Sequence, residues 1–215
     1  MTAKLIYCYD PMCSWCWGFK PTWYELRTLL APLVEQQKLE IHYLLGGLAP
    51  DSDQPMPPEM QTKLQGVWQQ ISAHLGTEFN HAFWQECQPR RSTYPACRAC
   101  LVAREAGLEE KMITEIQQAY YLKAQNPSDI DTLAQCAENI GLNKAEFIDA
   151  IAQVQQTQSL EKELAQARQL QLNSFPSLGL IVGNRIAHIE LDYKSAKNML
   201  QTIELGMRQL SGEGE

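Results

Sequence analysis

The chain has 215 residues, 45% hydrophobic and 20% charged, with 18 basic and 25 acidic side chains giving a formal charge of −7. These are the proportions of a soluble globular protein: one large domain, or one domain carrying an insertion. Without a basic cluster neither nucleic acid nor an anionic membrane surface is expected as a partner, and no apolar stretch has signal-peptide or membrane-spanning length, so a cytoplasmic location is expected.

Cysteine usage agrees with that location. Cys8, Cys13, Cys16, Cys87, Cys97, Cys100 and Cys136 make an odd count at irregular spacing. A secreted disulfide scaffold is not built this way. In a reducing compartment any disulfide here is expected to be catalytic or transient.

The first element is a strand. Leu5-Ile6-Tyr7-Cys8-Tyr9 is β-prone and apolar, and Asp10-Pro11 breaks it. A helix follows, because Phe19, Trp23, Leu26, Leu30 and Leu33 recur at steps of three and four. Between them lies Cys13-Ser14-Trp15-Cys16. Cys16 shares the buried helix face with Phe19, whereas Cys13 falls at or before the first turn, so Cys13 is expected exposed and Cys16 covered. The unpaired N–H groups of a helix start stabilise a thiolate. A second thiol one turn on can attack a mixed disulfide and release the product. A lone CxxC is also half of a zinc site. Its place between a strand and a long amphipathic helix favours the redox reading.

Leu39 to Leu45 reads as an interior strand closed by Gly46-Gly47, and the Pro-rich segment from Ala49 to Pro58 as a loop and domain boundary. From about Pro58 to Leu172 the pattern is helical. Met60, Leu64, Val67, Ile71 and Leu75 mark one helix stopped by Gly76; a second runs from near Pro95 to Gly107. Met112, Ile113, Ile116 and Tyr120 mark a third, and Ile130, Leu133, Ala137 and Ile140 a fourth. Asn143 with Glu146 resembles a capping box opening a fifth, whose Gln-rich end from Gln153 to Gln158 is expected as an exposed face. Leu160, Leu164, Ala167 and Leu170 mark the last. Two strands about Gly183-Asn184 then read as a hairpin. Asp192 is placed to cap a closing helix with Ala196, Met199, Leu200, Ile203 and Met207 inward, and the tail from Ser211 to Glu215 is expected to fray. Without the helical block the order is β-α-β-α-β-β-α.

That order, with CxxC opening the first helix, resembles a thioredoxin fold, and the helical block within it resembles the DsbA superfamily. Pro21 stands five residues after Cys16, and Phe175-Pro176 precedes the hairpin where this fold carries a cis-proline. The stretches from Asp10 to Phe19 (DPMCSWCWGF) and Tyr94 to Ala99 (YPACRA) are similar to the FrnE-like cytoplasmic branch. The resemblance implies an α/β thioredoxin fold with an inserted all-helical domain, residues 1–50 and 160–215 forming the thioredoxin-like part and 51–159 the insertion. It further implies a dithiol oxidoreductase or disulfide isomerase acting on protein or small-molecule thiols and disulfides. The branch lies near 2-hydroxychromene-2-carboxylate isomerases and kappa-class glutathione transferases, which place Ser at the Cys13 position and use glutathione. Cys13 with Cys16 favours dithiol chemistry, leaving the glutathione-dependent reaction as the alternative and a zinc-stabilised binding protein as a second one.

In this reading Cys13 attacks, Cys16 resolves, and Trp15, Phe175 and Pro176 shape the substrate groove. No metal or bound cofactor is required, and glutathione is a candidate redox partner. A cis Pro176 would let residue 175 offer its N–H and C=O to an extended peptide. Cys97-Arg98-Ala99-Cys100 is a second CxxC, read three ways: packing, a secondary redox pair of Cys97 and Cys100, or four zinc ligands shared with Cys13 and Cys16. Trp15 is expected outward and Trp17 in the core. Asp10 can raise the Cys13 pKa, relay a proton to Cys16, or close a turn. Cys8, His42 and His188 read as structural. Substrate, direction of electron flow and oligomeric state are not legible.

Overall fold

The protein's structure, a computed structural model, describes residues 2–212. Its centre is a mixed four-stranded sheet in the order β2-β1-β3-β4. β1 (Ala3–Tyr9) pairs in parallel with β2 (Leu39–Leu45) and antiparallel with β3 (Ser177–Val182), which pairs antiparallel with β4 (Arg185–Ile189). The parallel β1–β2 connection requires a crossover element. α1 (Ser14–Glu35) supplies it, running on through Pro21 and Pro32. Gly183, at φ +59°, turns the hairpin in a conformation that costs glycine little.

Between β2 and β3 the chain forms α2 (Pro58–Leu75), the short α3 (Phe83–Glu86), α4 (Tyr94–Glu105), α5 (Glu109–Tyr121), α6 (Ile130–Asn139), α7 (Lys144–Gln156) and α8 (Ser159–Gln169). α9 (Ala196–Ser211) closes the chain, and residues 213–215 of the expected frayed tail lie outside the described residues. Leu5 of β1, Phe19 of α1 and Ile203 of α9 share one apolar cluster with Leu133 and Phe147 of the helical block. This arrangement is a DsbA-like thioredoxin fold.

Several local expectations are corrected. On α2 the buried side chains are Trp68 and Ile71, while Leu64 and Val67 are only partly covered and line a cavity. Ile130, the first residue of α6, is 41% exposed. Ser195, not Asp192, caps α9 by accepting from Asn198 N; Asp192 accepts from Lys194 N and Ser195 N one turn earlier. Asn143 does cap α7, accepting from the N–H groups of Ala145 and Glu146. Trp17 is half-buried instead of core, stacked on Tyr121 with ring centroids 5.6 Å apart.

Candidate active site

The site is assembled where β1 ends. Asp10 O accepts from Cys13 N at 3.0 Å, and Cys13 then adopts extended dihedrals (φ −79°, ψ 118°) as the N-cap of α1. Its Sγ accepts from Cys16 N at 3.4 Å, so a helix-start N–H points at the sulfur. The same thiol donates to Phe175 O at 3.2 Å. The Phe175–Pro176 peptide bond is cis. The fold thus brings together Cys13, Cys16, Phe175 and Pro176, with Trp15 beside them. All seven cysteines are free thiols.

Cys13 differs from expectation in its exposure, which is only 5%. It opens into a cavity of about 200 Å³ lined by Leu64 and Val67 of α2, Met56 of the Pro-rich loop, Arg91, Tyr120 and Phe175. The segment between β2 and α8 supplies all of these walls but Phe175, and the period of α1 carries no trace of them. Arg90 is paired with Asp129, whereas Arg91 makes no ion pair among the described residues. On the other side of Phe175 a groove of about 470 Å³ runs over Pro176, Ser177, His188 and Tyr193. Trp15 and Phe175 line both spaces; the Trp15 ring stands edge-on to Tyr193 at 5.2 Å. Gly46 fits against the Phe175 ring, since a Cβ there would lie 1.7 Å from Phe175 Cε1.

Cys16 is 1% exposed, and burial together with its contact to Cys13 pushes its thiol well above the usual cysteine range. A chemically unequal pair results: one sulfur touches the helix-start N–H and a cavity, the other is held protonated beneath it.

Asp10 lies under both cysteines and is fully buried. Its Oδ1 accepts from Met12 N at 2.8 Å, and its Oδ2 from Leu48 N at 2.7 Å and Thr93 Oγ1 at 2.6 Å. Burial raises its pKa, and these bonds oppose the rise. Asp10 is thus the clasp that joins the CxxC turn to the segments after β2 and before α4, and the turn reading of its role is the one its bonds describe.

Cys97 and Cys100 on α4 are wholly buried, and burial raises both thiols. Cys97 Sγ donates to Asp10 Oδ2 at 3.6 Å. Among the described residues no three His, Cys, Asp or Glu side chains converge as a metal-binding group, so the two CxxC pairs do not form a joint four-cysteine set. Cys8 sits on β1 with its thiol raised to about 12 by burial. His42 pairs with Glu40, and His188 contacts Leu170 O at 3.0 Å.

Sequence reasoning missed Arg104, which bridges Glu109 and Glu163 behind α4 while Glu109 accepts from Tyr9 at 2.8 Å. It also missed Gln117, a polar residue on the buried face of α5. A polar side chain at an inward helical position was the available signal for both.

The chain resembles known proteins over nearly its whole length. A Nitrosomonas europaea protein provisionally assigned as a disulfide isomerase superposes with TM-score 0.81 at 23% identity, covering 97% of this chain and 99% of that one. The cytosolic disulfide reductase DsbM from Pseudomonas aeruginosa superposes with TM-score 0.73 at 23% identity, over 96% and 99% of the two chains. That reductase has also been solved with GSH. An uncharacterized Bacillus subtilis protein, YwbO, is 25% identical over 70% of this chain and 72% of its own. At such identities the two structures establish the fold. Residues 4–191 match the profile of the DSBA-like thioredoxin domain, and the chain belongs to that family of thiol–disulfide oxidoreductases.

Proposed function

We propose that this protein is a thiol–disulfide oxidoreductase of the FrnE-like branch working in the cytoplasm, with Cys13 as the attacking thiol and Cys16 as the resolving one. The observation that carries the reading is the position of Cys13 Sγ, which accepts a helix-start N–H at 3.4 Å while touching the Phe175 carbonyl at 3.2 Å. Negative charge developing on that sulfur meets N–H dipoles, and an incoming disulfide meets the edge made by Trp15, Phe175 and Pro176. Cys13 displaces one sulfur of the substrate disulfide. Cys16 then displaces the other from Cys13, leaving a Cys13–Cys16 disulfide and two substrate thiols. Two small thiols, such as glutathione, return the protein to its dithiol state and become a disulfide. The odd set of free cysteines and the likeness to a cytosolic reductase support the compartment.

The cavity above Cys13 favours a narrow substrate. Its volume of about 200 Å³, apolar walls and the unpaired Arg91 suit a small carboxylate-bearing thiol or disulfide, and glutathione fits that description. Residues 51–159 serve in this reading as the inserted domain that builds those walls around the thioredoxin-like part. Cys97 and Cys100 are assigned to packing because both are wholly buried.

The reading is tested by incubating reduced protein with glutathione disulfide and following free thiol and intact mass. The parent should reach a state two hydrogens lighter, and Cys16→Ala should accumulate protein carrying one glutathionyl group at Cys13. Turnover that survives Cys16→Ala undiminished would assign the protein instead to glutathione-dependent isomerase or transferase chemistry.

A further inference from the structure

Cys16 adjoins a narrow space of about 20 Å³ lined by Tyr7, Lys20, Tyr43, Glu110 and Gln117. That volume accommodates a single water, provided a few polar partners hold it. One partner is already set. Gln117 is 2% exposed and its Oε1 receives no hydrogen bond from any described residue, an unfavourable state for a buried amide oxygen. Lys20 lies one helical turn after Cys16, on the same face of α1. It lines this space and also an open cleft of about 890 Å³ bordered by Trp17, Thr77 and Glu78, so it stands between the interior and solvent.

Lys20 is held without a carboxylate. Its Nζ donates to Thr114 Oγ1 at 3.0 Å and lies 5.4 Å and 5.6 Å from the ring centroids of Trp17 and Tyr24. Those rings hold the ammonium by cation–π attraction. Burial lowers the lysine pKa to about 8, against an opposing pull from Glu115. The charged groups around it are Glu110, paired with Arg27, and Glu115, 3.9 Å from Lys123, on α5; His74 and Glu78 at the end of α2 and after it; and Lys194 before α9. The phenols of Tyr7, Tyr24 and Tyr43 complete the surround. Burial raises Tyr7 and Tyr43, which therefore stay neutral.

We propose that this space holds one water, ordered by Gln117 Oε1 and Lys20 Nζ, that carries the Cys16 proton outward when Cys16 closes the disulfide with Cys13. The inference deepens the thiol–disulfide reading above and rests on it. In that step the Cys16 S–H bond breaks and Cys16 Sγ bonds to Cys13 Sγ. The bond from Cys13 to the substrate sulfur breaks, its electron pair leaving on the substrate thiolate. In this step the Cys16 sulfur is oxidised from thiol to disulfide level and the substrate sulfur is reduced by the same amount, while the Cys13 sulfur stays at the disulfide level. The proton passes to the water, to the neutral amine of Lys20, and into the outer cleft, while the departing thiolate takes a proton from solvent. The step needs such a path because burial holds the Cys16 thiol protonated. An ordinary lysine offers almost no neutral amine near neutral pH; this one offers a usable share. Gln117 and Lys20 are positioning residues here, acting through the water.

The test isolates the resolving step. Cys13 is loaded in mild acid as its mixed disulfide with 5-thio-2-nitrobenzoate, then jumped to a series from about pH 6 to about pH 9, and chromophore release is followed. The parent should show an inflection near the lysine pKa of about 8. Lys20→Met should release about tenfold more slowly near neutral pH and lose the inflection. Lys20→Arg should be as slow, because a guanidinium keeps the charge but takes no proton. Gln117→Leu should slow release severalfold, and alkylation of Cys13 should proceed at the parent rate in every variant. If Lys20→Met fails to fold, the other two variants carry the test. Release within twofold of the parent in Lys20→Arg and Gln117→Leu across the series overturns the relay. Recovery in Lys20→Arg alone overturns it too, since charge would then suffice. A parent that never releases the chromophore overturns the oxidoreductase reading itself.

Discussion

Removing the Asp10 carboxylate should loosen the site from beneath. Two backbone donors, the buried Met12 N and the partly buried Leu48 N, end on its two oxygens at 2.8 Å and 2.7 Å. In Asp10→Ala both lose their acceptor. Each orphan costs about 1–3 kcal/mol, so the variant should lose roughly 2–6 kcal/mol. In Asp10→Asn one oxygen still serves Met12 N, and the amide nitrogen confronts Leu48 N. The Thr93 hydroxyl can rotate to accept from that nitrogen, so one orphan remains and the loss falls to about 1–3 kcal/mol. For a chain of this size that is about 2–4 °C of melting temperature per kcal/mol. Denaturant unfolding of reduced protein reads the order parent, Asn variant, Ala variant. The pH dependence has a definite sign. Burial raises the Asp10 pKa above its unfolded value, so its contribution to stability is complete in acid and declines as pH rises through the raised pKa. The parent's margin over Asp10→Asn should therefore be widest near pH 4 and shrink toward neutrality. An Ala variant within about 1 kcal/mol of the parent, or an Asn variant equal to it, would refute the clasp.

Three further outcomes follow from the packing. Gly46→Ala should push the Phe175 ring aside, because its Cβ would lie 1.7 Å from Phe175 Cε1; overpacking of about 1–3 kcal/mol and altered Cys13 alkylation are expected, and an unchanged melt would contradict that seat. Iodoacetamide on folded, reduced protein should modify Cys13 and the half-exposed Cys87, leaving the other five for denaturant; peptide mapping that finds Cys97 or Cys100 modified as fast would revive a second redox pair. Arg91→Met should raise KM for glutathione disulfide about fivefold, the worth of one partly exposed charged contact of about 1 kcal/mol. Neutral hydroxyethyl disulfide should be unaffected, and equal losses on both substrates would exclude a carboxylate contact at Arg91.

What the amino-acid order determined by itself is local. A β-prone run broken by Asp10-Pro11, a CxxC ahead of an i, i+3, i+4 stripe, and Gly183-Asn184 between apolar runs each specify their element through neighbours a few residues away. That sufficed for the succession of strands and helices along the chain, the long first helix and the helical block; the place of the cis-proline at Pro176 came from the family resemblance. Tertiary structure decided everything that depends on pairs far apart in the chain. Cys13 and Phe175 are 162 residues apart and Asp10 and Thr93 are 83 apart; no periodicity encodes either contact. Cys13 is covered instead of exposed because α2 and Arg91, from another part of the chain, wall it in. Trp68 took the core place expected of Leu64 and Val67 for the same reason: the face a helix buries is chosen by what packs against it. Gln117 beside Cys16 belongs to this second class. Its amide is ordinary in the sequence, and it acquires its meaning from the space the fold leaves next to a thiol.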